Sequence, residues 1–125
     1  MKATKIAYYA TTGLMSFAML FSAYAYLTKP EVRQGFQHLG FPDYFRVELG
    51  IAKFIAAFLL WLPIRLLREA SYVGLAISFV SAFIAHIASG DSISHIINPL
   101  LVLAILTVSY ITYTKTSSNL EISVK

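Results

Sequence analysis

The chain has 125 residues, of which 58% are hydrophobic and 13% are charged, and its net charge is +4. Soluble domains are usually nearer half apolar and a quarter charged, so this composition indicates a membrane protein. It has no cysteine, which excludes disulfides and cysteine nucleophiles, and its basic residues flank apolar runs instead of forming a patch for nucleic acid.

Four apolar stretches are long enough to cross a bilayer, which takes about 20 residues. They cover residues 6–27, 44–62, 70–89 and 93–113. Because the connections between them are short, consecutive helices are expected to be antiparallel neighbours. We therefore predict an all-α fold, an integral membrane four-helix up-down bundle. It forms one domain over residues 1–115, and a polar tail follows over residues 116–125.

The first span has a second interpretation, because Ala23-Tyr24-Ala25 resembles a signal-peptidase site. Its apolar run of about 20 residues is longer than the 7–15 residues usual in a signal peptide. Cleavage would also leave only three spans. We therefore expect the span to be retained.

Lysines and arginines set the orientation of the spans. Both termini are expected to be cytoplasmic, because more of these residues fall on their side of the membrane. Six lie on that side, three lie on the other side, and Lys53 lies inside the membrane. The six are Lys2, Lys5, Arg65, Arg68, Lys115 and Lys125, and the three are Lys29, Arg33 and Arg46.

The longest connection, TKPEVRQGFQHLGFPD (residues 28–43), predicts a short amphipathic helix between the first and second spans. Thr28 and Glu31 have the spacing of a capping box, and Pro30 is tolerated in a first turn. Phe36 lies on its apolar face. The helix is expected either to connect the spans at the outer surface or to cover what the bundle holds.

Several segments resemble the DoxX-like family of small four-helix bacterial membrane proteins. They are TTGLM (11–15), YLTKPEV (26–32), HLGFPDYFRVELGIAK (38–53), LREASYVG (67–74) and AHIASGD (85–91). The chain departs from the family pattern at Ala70, where relatives often have an aromatic residue, and at Ala85, where they have serine. The family's name comes from a small subunit associated with thiosulfate:quinone oxidoreductase activity. The resemblance therefore implies a bacterial inner-membrane protein linked to quinone or redox metabolism.

Lys53 interrupts the apolar run ELGIAKFIAAFLLWLP (48–63), where an uncompensated lysine costs roughly 2.5–3.5 kcal/mol. Gly50 and Ala57 share its side of the helix, and small residues mark helix contacts in membranes. Lys53 is therefore expected to point into the bundle, while the aromatic stripe of Phe54, Phe58 and Trp61 meets lipid. A stripe of small residues on the third span is expected to serve helix packing; its members are Ser71, Gly74, Ser78, Ala82 and Ala85.

Polar side chains gather at the outer end of the predicted bundle. Lys53 lies about 12 Å and His86 about 5 Å from that end at 1.5 Å per residue, and their side chains lean toward each other. A turn role explains Asp91, and Glu48 is a poor partner for Lys53 within one helix. The ligand-binding candidates are Lys53, His86, Glu48, Asp91, His38, His95 and Asn98.

These residues leave three functions open. The first is a membrane component that binds a quinone-like lipophilic molecule and assists a separate redox enzyme or forms a homo-oligomer. The second is a non-enzymatic scaffold in which Lys53 and His86 stabilise helix packing. The third is a membrane enzyme that uses both for acid–base chemistry. The histidine spacing predicts no metal site, and quinone is the one cofactor suggested. The expected partner is the lipid bilayer, and no nucleic-acid partner is expected.

Overall fold

A computed structural model describes residues 2–124 of the chain, and side chains for residues 2–116. The described chain is helical, with α1 at Lys2–Thr28, α2 at Pro30–His38, α3 at Asp43–Leu59, α4 at Arg65–Ala88 and α5 at Ile93–Val124. The all-α prediction is therefore confirmed for these residues. The helices α1, α3, α4 and α5 overlap the four predicted apolar stretches, and α5 also includes most of the segment assigned to a polar tail.

Three helices are long and apolar enough to cross a membrane: α1, α4 and the Ile93–Thr116 part of α5. The remaining long helix, α3, has 17 residues, fewer than the about 20 of a typical crossing. Large apolar side chains also cover the outside of the molecule; Phe17, Leu66 and Ile77 are 68%, 76% and 61% exposed. Soluble monomers rarely expose such extensive apolar surface. The chain is a small membrane protein.

Helices α1 and α3 pack closely and run in opposite directions. Near the start of α3, Gly50 lies against Tyr26 and Leu27 of α1, so that a Cβ added there would be 3.1 Å from the Tyr26 Cβ. Farther along α3, Ser16 of α1 donates a 3.1 Å hydrogen bond to the Ala57 carbonyl. Later residues of α3 therefore meet earlier residues of α1.

A buried hydroxyl network joins α1, α4 and α5. The Ser109 hydroxyl lies 2.5 Å from that of Thr12 and 2.7 Å from that of Tyr72. Buried polar groups need such partners, and small hydroxyl residues let membrane helices approach closely. The apolar core surrounds this network and consists of Tyr8, Met15, Met19, Ala56, Ala57, Leu60, Tyr72, Leu75, Phe79, Leu106 and Tyr113.

The contact between α3 and α4 is looser than the sequence predicts. Ser71 donates to the Ala56 carbonyl at 3.2 Å, as expected for a packed small residue. Gly74, from the same predicted stripe, is exposed, and a Cβ added there would meet nothing within 4 Å. A cavity of about 300 Å³ separates the two helices here, so the stripe is only partly used for packing.

The predicted aromatic stripe on α3 and just after it is exposed on the outside of the molecule. Phe54 and Phe58 are about half exposed, as expected for side chains that meet lipid. Trp61 is also exposed, and in addition its indole donates to the Ser16 hydroxyl of α1 at 2.8 Å and stacks on Tyr9. An indole N–H in apolar surroundings needs an acceptor, and the Ser16 hydroxyl supplies it.

The short helix α2 occupies the connection in which the sequence predicts it. The predicted capping box is wrong, because Thr28 belongs to α1 and its hydroxyl donates to the Tyr24 carbonyl at 2.7 Å. Lys29, the one residue between α1 and α2, is the N-cap residue of α2, and its side chain makes no capping hydrogen bond. On the apolar face of α2, Phe36 is buried. Its ring packs edge-on against that of Tyr26, with the ring centroids 5.2 Å apart.

Candidate functional site

Two adjoining cavities lie at the end of the molecule that carries α2. One, of about 820 Å³, lies between α2, α3 and α4, and the other, of about 630 Å³, lies between α1, α4 and α5. Both fall in the size range of small-molecule sites. The residues common to both linings are Tyr26, Lys53, Phe79, Ala82, His86 and His95.

Lys53 is 8% exposed and points into the bundle, as its neighbours in the sequence indicate. Its ammonium donates to the Ser22 hydroxyl at 3.0 Å and lies 4.0 Å from the centre of the Tyr26 ring. Among the described side chains, no carboxylate lies within 4 Å of the Lys53 nitrogen. An ammonium group has three N–H donors, so contacts with one hydroxyl and one ring leave hydrogen-bonding capacity beside the cavities.

Asp91 links α2 to α4 through two histidines. One of its carboxylate oxygens lies 2.6 Å from His86 Nδ1 and the other 2.5 Å from His38 Nε2. Asp91 follows Gly90, which has a φ of +70° in the turn between α4 and α5. The predicted turn position thus also serves as a contact between elements. The hydrogen bonds from His86 and His38 lower the pKa of Asp91, because they stabilise its ionised form.

The remaining candidates are placed differently. The His95 ring stacks on that of His86, with centroids 5.7 Å apart and planes at 19°, and lines both cavities. Asn98 lines the smaller cavity. Glu48 is exposed on α3 and lines neither cavity. Within the described part of the chain, no group of three or more histidine or acidic side chains is arranged to hold a metal ion.

Two site residues come from the first span, which the sequence interpretation did not use. Ser22 and Tyr26 supply the contacts that hold Lys53. The predicted antiparallel pairing of the first two spans could have identified Ser22 and Tyr26. It places the end of the first span beside the start of the second, where Ser22 is a polar residue in an apolar run.

Acidification is expected to release α2 from the turn at Asp91. The pKa of Asp91 in the folded protein is lowered, so its contribution to stability is full above the ordinary aspartate pKa of about 3.9. That contribution is lost as the pH falls through the lower, folded value. Hydrogen exchange of residues 30–38, corrected for intrinsic rates, should show protection that persists at mildly acidic pH and then disappears.

The control for this experiment is Asp91→Asn, whose side chain does not titrate. Its α2 amides should exchange faster at neutral pH and lose the acidic transition. A transition that stays in the variant would contradict the assignment to Asp91.

The sequence comparison agrees with this membrane architecture. The model of the DoxX-like family matches residues 10–109, which include Lys53, His86 and Asp91. No curated protein and no solved structure matches the chain. The family match covers well over half of the residues, includes all five resembling segments and confirms the resemblance. The chain belongs to the DoxX-like family.

Proposed function

We propose that this protein binds a lipophilic molecule with a small oxygen-bearing head, of the quinone class, in the cavities beside Lys53. The observation that carries the proposal is a buried lysine with no described carboxylate partner, at a wall shared by two cavities. Ionisable residues inside membrane proteins commonly mark ligand or ion sites, because their burial is costly. Oxygen atoms of a bound head would accept the remaining Lys53 hydrogen bonds.

The larger cavity suits such an amphiphile in shape and chemistry. Its lining combines polar side chains, among them Lys53 and His86, with the apolar side chains of Phe36, Phe45 and Leu49. Burial of an apolar tail against these apolar side chains would be favourable, and the head would remain near the polar groups. The helix α2 covers this cavity, which fits the predicted covering role.

The proposed setting is a bacterial inner membrane that α1, α3, α4 and α5 all cross as an up-down bundle, with cytoplasmic termini. The antiparallel contacts between these helices and the excess of basic residues at one end support this arrangement. The Lys53 side chain leans toward the start of α3, which brings its charge nearer to the membrane surface. This lowers the free-energy cost of placing α3 across the membrane.

A separate redox enzyme is the proposed partner. Electron transfer to or from a quinone needs a redox group, and cysteine ligands for an iron–sulfur cluster do not occur in this chain. The protein would then hold or deliver the lipophilic molecule, alone or as a homo-oligomer, while the other subunit carries out the oxidation or reduction.

Lys53→Met is expected to abolish binding of this molecule with little change in fold. Mass spectrometry of lipophilic compounds that co-purify with the folded proteins would measure the effect. Lys29→Met is the matched control, because Lys29 is an exposed lysine at the same end of the molecule. A quinone should accompany the wild type and the control and be absent from Lys53→Met.

The scaffold alternative is favoured by one observation, the Lys53–Ser22 hydrogen bond that joins α3 to α1. It predicts that Lys53→Met lowers the free energy of unfolding and that all three proteins carry the same lipids. Equal quinone content in folded wild type and Lys53→Met would reject the binding proposal.

A further inference from the structure

The tautomer of His86 is fixed by its contact with Asp91. An ionised carboxylate can only accept hydrogen bonds, so His86 Nδ1, 2.6 Å from the Asp91 oxygen, carries the ring proton. The lowered pKa of Asp91 agrees with an ionised carboxylate. In its neutral form His86 has this one N–H, at Nδ1, and its Nε2 is then a lone-pair acceptor.

This acceptor lies on a ring that lines both cavities. His86 Nε2 is at the opposite ring edge from Asp91 and has no hydrogen-bond partner among the described residues. The cavity wall thus presents two different groups, a cationic donor at Lys53 and an acceptor at His86. The contact with Asp91 disfavours a role for His86 as a donor to a quinone carbonyl.

The two oxidation states of a quinone-class molecule differ in how they match this pair. A quinone carbonyl has only lone pairs, so it suits Lys53 but opposes the lone pair of His86 Nε2. A hydroquinone hydroxyl can donate to His86 Nε2 while its oxygen accepts from Lys53. A polar group left without a hydrogen-bond partner in a buried site is costly. The hydroquinone is therefore expected to bind more tightly than the quinone.

We propose that the site selects the hydroxyl-bearing form of its ligand, a hydroquinone head, over the quinone, with His86 as its proton acceptor. This inference rests on the proposed function. When the hydroxyl ionises, its O–H bond breaks and the proton forms an N–H bond at His86 Nε2. The imidazolium then lies beside the Asp91 carboxylate, and the phenolate lies beside Lys53. No electron moves in this step.

Several other groups surround His86 and define its electrostatic environment. His95 stacks on it from α5, and His38 from α2 shares Asp91 with it. Lys53 is the cation contributed by α3 to the same cavity walls. Asp91 is a positioning residue, because it acts on the ligand only through His86.

The test uses the full chain in nanodiscs and three probes with the same alkyl tail. The probes are dodecyl-hydroquinone, its dimethyl ether and dodecyl-benzoquinone, titrated without oxygen and against empty nanodiscs. The hydroquinone should bind about tenfold tighter than the other two, the value of one hydrogen bond to a charged or buried partner. In His86→Phe the hydroquinone should bind no tighter than its dimethyl ether.

Asp91→Asn provides a second variant with an additional measurement. Nitrogen-15 chemical shifts should show a pure Nδ1–H tautomer at His86 in the wild type and a mixture in Asp91→Asn. The preference for hydroquinone should fall with that change. Asp91→Asn still tests the role of His86 in the hydroquinone preference if His86→Phe fails to fold.

The outcomes separate the two proposals. Quinone binding equal to or tighter than hydroquinone binding would overturn the selectivity and leave the proposed function standing. A preference that survives in His86→Phe or Asp91→Asn would overturn the assignment to His86. Failure of all three probes to bind would overturn the proposed function and the inference together.

Discussion

Replacing Gly50 with leucine is expected to force α1 and α3 apart and to lower the free energy of unfolding by about 1–3 kcal/mol or more. A Cβ at this position would lie 3.1 Å from the Tyr26 Cβ and 3.2 Å from Leu27 Cδ2. The Tyr26 Cβ is attached to the α1 backbone and moves only if that helix moves. Titration with a denaturing detergent, followed by circular dichroism, would measure the loss.

The same substitution should also damage the Lys53 site. The Tyr26 ring lies over the Lys53 ammonium, so a displaced α1 carries away this ring and the Ser22 hydroxyl together. Gly74→Leu is the matched control, because Gly74 lies within α4 with nothing within 4 Å of its Cβ position. Leucine has a higher helix propensity than glycine, so this control should be neutral or stabilising. Equal losses in the two variants would contradict the close-contact explanation.

Arg46→Met is expected to lower the free energy of unfolding by about 1.5–3 kcal/mol, the range for a hydrogen bond that involves a charged group. Arg46 is 7% exposed, and its guanidinium donates to the Tyr26 carbonyl and to Asp43. In a continuous helix that carbonyl would accept from the N–H of residue 30, but Pro30 has no N–H. Arg46 therefore satisfies a carbonyl that the sequence leaves without its helical partner.

The positive charge of Arg46 is also favourable at the C-terminal end of α1, where backbone carbonyls point outward. Arg33→Met is the control, because Arg33 contacts the same Asp43 but has a side chain 56% exposed. Exposed ion pairs contribute little, so its effect should stay within about 0.5 kcal/mol. An Arg33 effect as large as that of Arg46 would show that Asp43, and not the Tyr26 carbonyl, is the important partner.

The positions of the helices could be predicted well, since apolar length and short connections define them. Antiparallel order was also enough to bring Lys53 and His86 to the same cavities. The surface helix was predictable because Gly40 and Pro42 interrupt the chain after its apolar face. These features depend on periodicity and chain order, which a single sequence contains.

Other features depend on which helix faces which, and the sequence does not specify this. Ser22 and Tyr26 lie in an apolar run that indicates only a span, so their contacts with Lys53 could not be assigned. The proposed role of His86 as an acceptor depends on its contact with Asp91 in the turn after α4. The exposed position of Glu48 likewise depends on the rotation of α3 about its axis.

The contacts between α1 and α3 restrict which motions the protein can make. Polar bonds join Ser16 to the Ala57 carbonyl, Ser22 to Lys53, and the Tyr26 carbonyl to Arg46, at three depths along the pair. A shift of one residue displaces every partner by about 1.5 Å and would disrupt all three bonds together. Sliding of packed helices is a common route for conformational change. Sliding of α1 along α3 is therefore opposed by three polar bonds, whereas α3 and α4 are separated by a cavity.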